Sequence, residues 1–307
     1  MFSRLAWLLL PAWAAQPRLV RKEVTAEIDE ASAGELMLEP EEKPTVLYSI
    51  QTALHNVEGI QVALETWAKD LRPGQLQVVG MDHPKGVHVK GISWHKSKCP
   101  DSHAGGACKD FTALAEAREK EVDWVVLLGT DNYAVTSNIE AALSQHSSSE
   151  PQVLGIRGCG DCAAGGLCGG GGQLFNRGAL EKMLEAGRSS YLQQSMSEAK
   201  SCGMWGDVSN CRVAALHGVP VGDLPGLHGW HLKPPQLSQA LGSSYPAPLT
   251  FHYLNVDEIK ALHAMLQEQA EAFLVGNAGL QAQGLAMWWQ DRDRYVKEEQ
   301  GRRELPA

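Results

Sequence analysis

One acidic residue, Asp131, stands just past the end of a near-continuous apolar run, in Val122-Asp-Trp-Val-Val-Leu-Leu-Gly-Thr-Asp131-Asn-Tyr-Ala-Val. Trp124 to Leu128 reads as a strand buried on both faces, stopped by Gly129. In open α/β sheets, ligands bind outside the carboxyl ends of the strands. A carboxylate there can hold a divalent cation, and the cation a diphosphate. The plainer reading is a strand-to-helix turn, since Ser137-Asn-Ile-Glu140 resembles a capping box. A second candidate is Gly165-Gly-Leu-Cys-Gly-Gly-Gly-Gly172, either a flexible linker or a backbone-lined, ligand-facing loop.

The cysteines are a third. There are seven, and Cys99 with Cys108 and Cys202 with Cys211 each close a short loop, which predicts two local disulfides. Cys159-Gly-Asp-Cys162 and Cys168 then hold one disulfide and a spare thiol. A redox motif or half a zinc site is the alternative, but no second Cys-x-x-Cys or His pair follows at finger-like spacing.

The elements that must position these groups alternate. Thr45-Val-Leu-Tyr-Ser-Ile50 reads as a strand. Val57, Ile60, Leu64, Trp67 and Leu71 follow at helical spacing, ended by Pro73-Gly74. Leu76 to Gly80 is a second strand, Phe111 to Lys120 a helix, Ser137 to Gln145 another, and Val153 to Ile156 a strand. A short helix spans Ala179 to Ala186. Asn255-Val-Asp-Glu258 resembles a helix start, followed by an apolar stripe of Ile259, Leu262, Leu266 and Phe273. This order predicts a doubly wound α/β domain. Neither Gly-x-Gly-x-x-Gly nor a P-loop follows the first strand.

Residues 1–15 read as a signal peptide: Arg4, the apolar run Leu5 to Leu10, and the small residues Ala12 and Ala14. The run is shorter than the ~20 apolar residues a membrane span needs, so membrane association is expected only if it stays uncleaved. Residues 16–44 read as an acidic stem; Glu23 to Glu42 holds eight acidic side chains and no basic one. The domain is expected over 45–255, with a helical extension over 256–307. A net charge of −9 on 307 residues speaks against a nucleic-acid partner.

Taken in order, six blocks resemble the Fringe-like and core 1 galactosyltransferase-like β-1,3-glycosyltransferases. They are Thr52…Leu64-Glu-Thr-Trp67, Trp124 to Tyr133, Gly169 to Gly172 with Asn176-Arg177, Gly206-Asp-Val-Ser209, Leu227-His228, and Thr250-Phe-His-Tyr253. The resemblance implies a GT-A-type fold, a UDP-sugar donor, manganese or another divalent cation, a glycan or glycoprotein acceptor, and inversion at the anomeric carbon. Together with the signal peptide, this points to a secretory-pathway location, the Golgi lumen or outside the cell. Residue by residue, the resemblance makes Asp131 and His228 the metal ligands and Asp207 the general base. Thr52, Gly129, Thr130, Gly170, Gly171 and Gly172 would line the donor site, and Trp205 and Trp230 would stack on the acceptor.

The chain departs from the family pattern twice. Gly129-Thr130 stands where the family has two further carboxylates, and Gly59 lies in the region where family members carry an Arg. Both leave open a non-catalytic binding protein of the same fold. Asp207 has a plainer role as well, capping a helix that begins near Val208.

Overall fold

The computed structural model describes residues 43–53, 56–80, 92–159, 166–230 and 247–268. The signal peptide, most of the stem, Cys162, Phe273 and the tail lie outside these residues. Among the described residues no helix is long and apolar enough to cross a membrane.

Four strands form the parallel half of the main sheet: β1 (Val46–Gln51), β2 (Leu76–Gly80), β3 (Ile92–Lys96) and β4 (Trp124–Leu128). Their order is β3-β2-β1-β4, with Val46 to Ile50 in register with Trp124 to Leu128. Beyond β4 the sheet turns antiparallel through β8 (Gln173–Asn176) and β6 (Val153–Arg157), while β7 (Leu167–Cys168) and β9 (Val221–Asp223) both pair with β6. The result is a mixed α/β fold with a central, mostly parallel sheet flanked by helices.

β4 shows why the apolar run was legible. Trp124, Val126 and Leu128 point into one core, and Val125 and Leu127 into the other, as strand alternation requires when both faces are covered. On the first face lie helices α1 (Val57–Glu65), α3 (Thr136–Leu143) and α7 (Val256–Glu268). The second face is covered by α2 (His103–Arg118), α4 (Arg177–Met183), α5 (Arg188–Ser201) and α6 (Gly206–Leu216).

Several element boundaries differ from expectation. α1 stops at Glu65, so Trp67 and Leu71 pack on the core from the turn after it. α2 begins at His103, so Gly105, Gly106 and Cys108 are helical rather than part of a loop. The N-cap of α3 is Val135, without a side-chain bond, so Ser137 does not open a capping box. α7 does have one: Asn255 Oδ1 accepts from the Glu258 N–H at 3.0 Å, and Glu258 Oε2 accepts from the Asn255 N–H at 2.8 Å.

A three-stranded sheet, β10 (Leu227–His228), β11 (Thr250–Phe251) and β5 (Tyr133–Ala134), stands beside the main one. It ties the segment after Asp131 to the two His-bearing segments.

Candidate functional site

β1 and β4 are parallel neighbours, so they end together, delivering Gln51-Thr52 and Gly129-Thr130-Asp131 to one edge. A cavity of about 360 Å³ opens there, lined by Asp131, Gly169, Gly170, Asp207, Trp205 and His252 among others. A second, of about 290 Å³, shares Gln51, Gly129 and Asp131 with it and adds Thr52, Asn56, Lys109 and Thr130.

The imidazole beside Asp131 is His252, with Nε2 3.3 Å from Asp131 Oδ2. Its Nδ1 lies 3.0 Å from the Gly229 carbonyl. A carbonyl only accepts, so Nδ1 carries the proton and the Nε2 lone pair faces Asp131 when the ring is neutral. Burial lowers the pKa of this ring; the Asp131 carboxylate and the Gly229 carbonyl outweigh it, and the net shift is upward. His228, the expected partner of Asp131, lines neither cavity. Its ring is buried and stacked on Phe251, centroids 5.3 Å apart, and burial holds its pKa at about 4. The signal for His252 was present in Thr250-Phe-His-Tyr253.

Asp207 lines the same cavity as Asp131 and His252, from the first turn of α6. Trp205, not Asp207, is the N-cap residue. Asp207 Oδ2 accepts from the Gly169 N–H at 2.8 Å, and Oδ1 from the Val208 N–H at 2.9 Å. Two backbone donors thus hold the carboxyl group in place. The glycine run is structured and packs against both Asp207 and His252. A Cβ on Gly169 would come 2.7 Å from the Cβ of Asp207, and one on Gly170 would overlap His252 Nδ1. Gly169 and Gly170 line the cavity; Gly171 and Gly172 do not. Gly172 has φ of +97°, a conformation that glycine adopts without strain.

Asn132 was missed in the sequence. It is buried, and its amide donates to the Gly170 carbonyl at 2.8 Å and the Phe251 carbonyl at 3.3 Å, while Oδ1 accepts from the Gly129 N–H at 2.7 Å. One side chain thus joins the end of β4, the glycine turn and β11. Lys109 was missed too: a buried cation on the second cavity, 2.6 Å from Asp101 Oδ1. Thr52 is buried there, its hydroxyl donating to the Ala53 carbonyl at 3.1 Å.

The aromatic residues divide. Trp205, 54% exposed, and Tyr253, 51% exposed, both line the cavity. Trp230 is equally exposed but lines neither cavity. Met204 and Tyr253 are the non-glycine residues with positive φ among the described residues, and each flanks a cavity-lining residue, Trp205 or His252. Such strain persists where surrounding structure enforces it.

The two departures from the family pattern have a physical basis here. A Cβ on Gly129 would lie 2.6 Å from Asp131 Oδ1, and one on Gly59 would lie 2.7 Å from the Cβ of Thr130. The helix α1 therefore packs on Thr130 where a side chain at 59 would stand.

Cys99 and Cys108 are paired, as are Cys159 and Cys168, with Cα–Cα distances of 5.6 and 5.0 Å. The expected Cys202–Cys211 bond is corrected: Cys202 is a free thiol, 3.1 Å from Ser209 Oγ. Cys211 is disulfide-bonded to a different partner.

No family model matches the chain. The structure is loosely similar to the glycosyltransferase GlyE of Streptococcus pneumoniae, with a TM-score of 0.42 and 12% identity over 81% of this chain and 64% of that one. Its apo form gives a TM-score of 0.40 and 11% identity over 70% and 55%. In sequence the chain is 26% identical over 179 residues to a human β-1,3-glucosyltransferase, covering 56% of this chain but only 34% of the relative. That sequence similarity supports a glycosyltransferase relationship for a chain spanning about a third of the relative's length.

Proposed function

We propose that this protein is an inverting β-1,3-glycosyltransferase that moves a hexose from a UDP-sugar to a hydroxyl of a glycan or glycoprotein. The observation that carries the reading is the convergence of Asp207 and the Asp131–His252 pair on one cavity. In the reaction, Asp207 takes the proton of the acceptor hydroxyl as that oxygen attacks the anomeric carbon. The bond from that carbon to the diphosphate breaks, and UDP leaves with the electron pair. General-base assistance of this kind contributes ~10²–10⁴-fold.

Asp131 and His252 would hold the cation. One carboxylate and one imidazole, its tautomer fixed by the Gly229 carbonyl, suit manganese or magnesium completed by diphosphate oxygens and water. Among the described residues no three His, Cys, Asp or Glu side chains converge on one point, so the donor must supply part of the coordination. The bound cation would neutralise charge developing on the leaving diphosphate. The buried Lys109 and the side chains of Thr52 and Thr130 line the adjoining cavity, a fit for the nucleotide. Trp205 and Tyr253 offer aromatic faces to an acceptor sugar, and Trp230 is exposed as a further candidate for that role. The disulfides Cys99–Cys108 and Cys159–Cys168, and the bonded state of Cys211, support residence in the oxidising secretory pathway, in the Golgi lumen or outside the cell.

A second reading, a nucleotide- or glycan-binding protein without turnover, is favoured by Gly129, whose missing side chain leaves Asp131 alone among the motif's carboxylates. Incubation with a panel of UDP-sugars and magnesium or manganese decides between them. Release of UDP coupled to a glycosylated acceptor is the expected result; UDP binding with no transfer from any donor would leave only the second reading.

A further inference from the structure

Asp110 is a buried acid for which the proposed reaction has no use. It lies on α2 and lines the same cavity as Asp207 while only 5% exposed. Its carboxyl packs on the first residue of α6, because a Cβ on Gly206 would overlap Asp110 Oδ2. Glycine at that position lets α2 bring Asp110 against the turn that carries Asp207.

The two carboxyls stand in unlike surroundings. Asp207 accepts backbone N–H bonds on both oxygens at a helix N-terminus. Asp110 has no such donors among its described hydrogen bonds. The titratable groups facing it are Asp207 from α6 and Tyr191 from α5, whose hydroxyl burial also keeps protonated. Its neighbour Lys109 is tied to Asp101, and Asp131 and His252 line the same cavity. Burial first, and Asp207 second, push the Asp110 carboxyl up to about 8. Environments that drive two neighbouring carboxyls apart assign them different roles.

We propose that Asp110, buried against the turn that carries Asp207, is a positioning residue whose neutral carboxyl lets the cavity admit an anionic diphosphate. The inference rests on the glycosyltransferase reading above. During transfer the Asp110 proton stays in place and the acceptor's proton goes to Asp207. When Asp110 ionises to solvent, three carboxylates share the cavity with one imidazole, and donor binding weakens by like-charge repulsion, on the order of tenfold.

The test is the pH dependence of KM for the UDP-sugar between pH 7 and 9, with magnesium as the cation. The parent's KM is expected to rise about tenfold, and that of Asp110→Asn, whose amide cannot ionise, by less than about twofold. A flat parent profile, or a variant as steep as the parent, overturns the proposal. So does a folded, UDP-binding Asp110→Asn that transfers no sugar at any pH, since Asp110 would then be the base itself. A carbon-13 titration of the Asp110 carboxyl in the parent needs neither variant nor turnover. A midpoint near 8 upholds the neutral carboxyl; one in the ordinary carboxylate range overturns it. Were no UDP-sugar to bind at any pH, the transferase reading would fail, while a midpoint near 8 would still uphold the neutral carboxyl.

Discussion

At the scale of single residues, Asp207 and Asp131 are set apart by what holds them. Asp207 is fixed by backbone donors from the glycine turn and its own helix, as a base that must meet a hydroxyl needs to be. Asp207→Asn keeps the shape but cannot take the proton. It should lower kcat ~10²–10⁴-fold in a transfer assay while calorimetry finds UDP–cation binding nearly intact. Asp131→Asn should instead weaken cation-dependent UDP binding, because it removes a charged oxygen from the cation's first shell. Identical phenotypes for the two would refute the division of roles. His228 carries a separate prediction. Its folded pKa of about 4 lies below the ordinary value near 6.5, so between these limits the unfolded chain binds more protons. Stability should therefore fall as pH drops from about 6.5 to about 4, by about 3 kcal/mol from this residue, and level off below. Urea titrations at pH 7 and pH 4 should show the loss in the parent and a smaller one in His228→Phe. The resemblance assigned the ligand role to His228, whereas the imidazole beside Asp131 is His252. His228 pairs with Phe251 across β10 and β11, and successive residues of a strand face opposite ways.

At the scale of elements, the apolar run of β4 and the alternation of strands and helices were legible because both faces of the sheet are covered. The ends of elements were less so, since packing sets them. Gly105 and Gly106 read as a loop, yet a Cβ on Gly105 would overlap the Pro100 carbonyl oxygen, and the helix uses that close approach. The two cysteine pairs looked alike, nine residues apart, but direction differs. Cys202 caps α5, while Cys211 points into the core from the middle of α6; a disulfide needs facing Cβ vectors as well as a short loop. Alkylation under non-reducing conditions should therefore label Cys202 and spare Cys99, Cys108, Cys159, Cys168 and Cys211; an unlabelled Cys202 in the unfolded chain would contradict the free thiol. The glycine turn is the element on which the site depends most. Gly170→Ala would press on His252 and the Gly229 carbonyl, at about 1–3 kcal/mol of overpacking. A small drop in thermal stability with at least a tenfold loss of cation-dependent UDP affinity is expected. Unchanged affinity would mean that His252 does not need its present position.

At the scale of the whole molecule, the site is assembled from segments far apart in sequence. β1 and β4 end together and bring Thr52 and Asp131 to one edge, while Asn132 joins that edge to the glycine turn and β11 by three hydrogen bonds. Motif order could reveal the segments, but not that Lys109 and Asp110 of one helix would complete two adjoining cavities, because those contacts exist only after folding. A site made this way couples ligand binding to the fold. UDP and a divalent cation at about a hundred times their dissociation constant should stabilise the native state by about 2.7 kcal/mol. For a domain of this size that corresponds to a rise in Tm of about 5–10 °C. The rise should be largely abolished by chelating the cation and be absent in Asp131→Asn, because the diphosphate then meets a cavity rich in carboxylates without its counter-charge. Asp207→Asn should keep the rise, since its carboxylate is assigned to the acceptor and not to the donor. An equal rise with and without chelator would show that the nucleotide binds without metal, and would shift the weight of diphosphate recognition from Asp131 and His252 to Lys109.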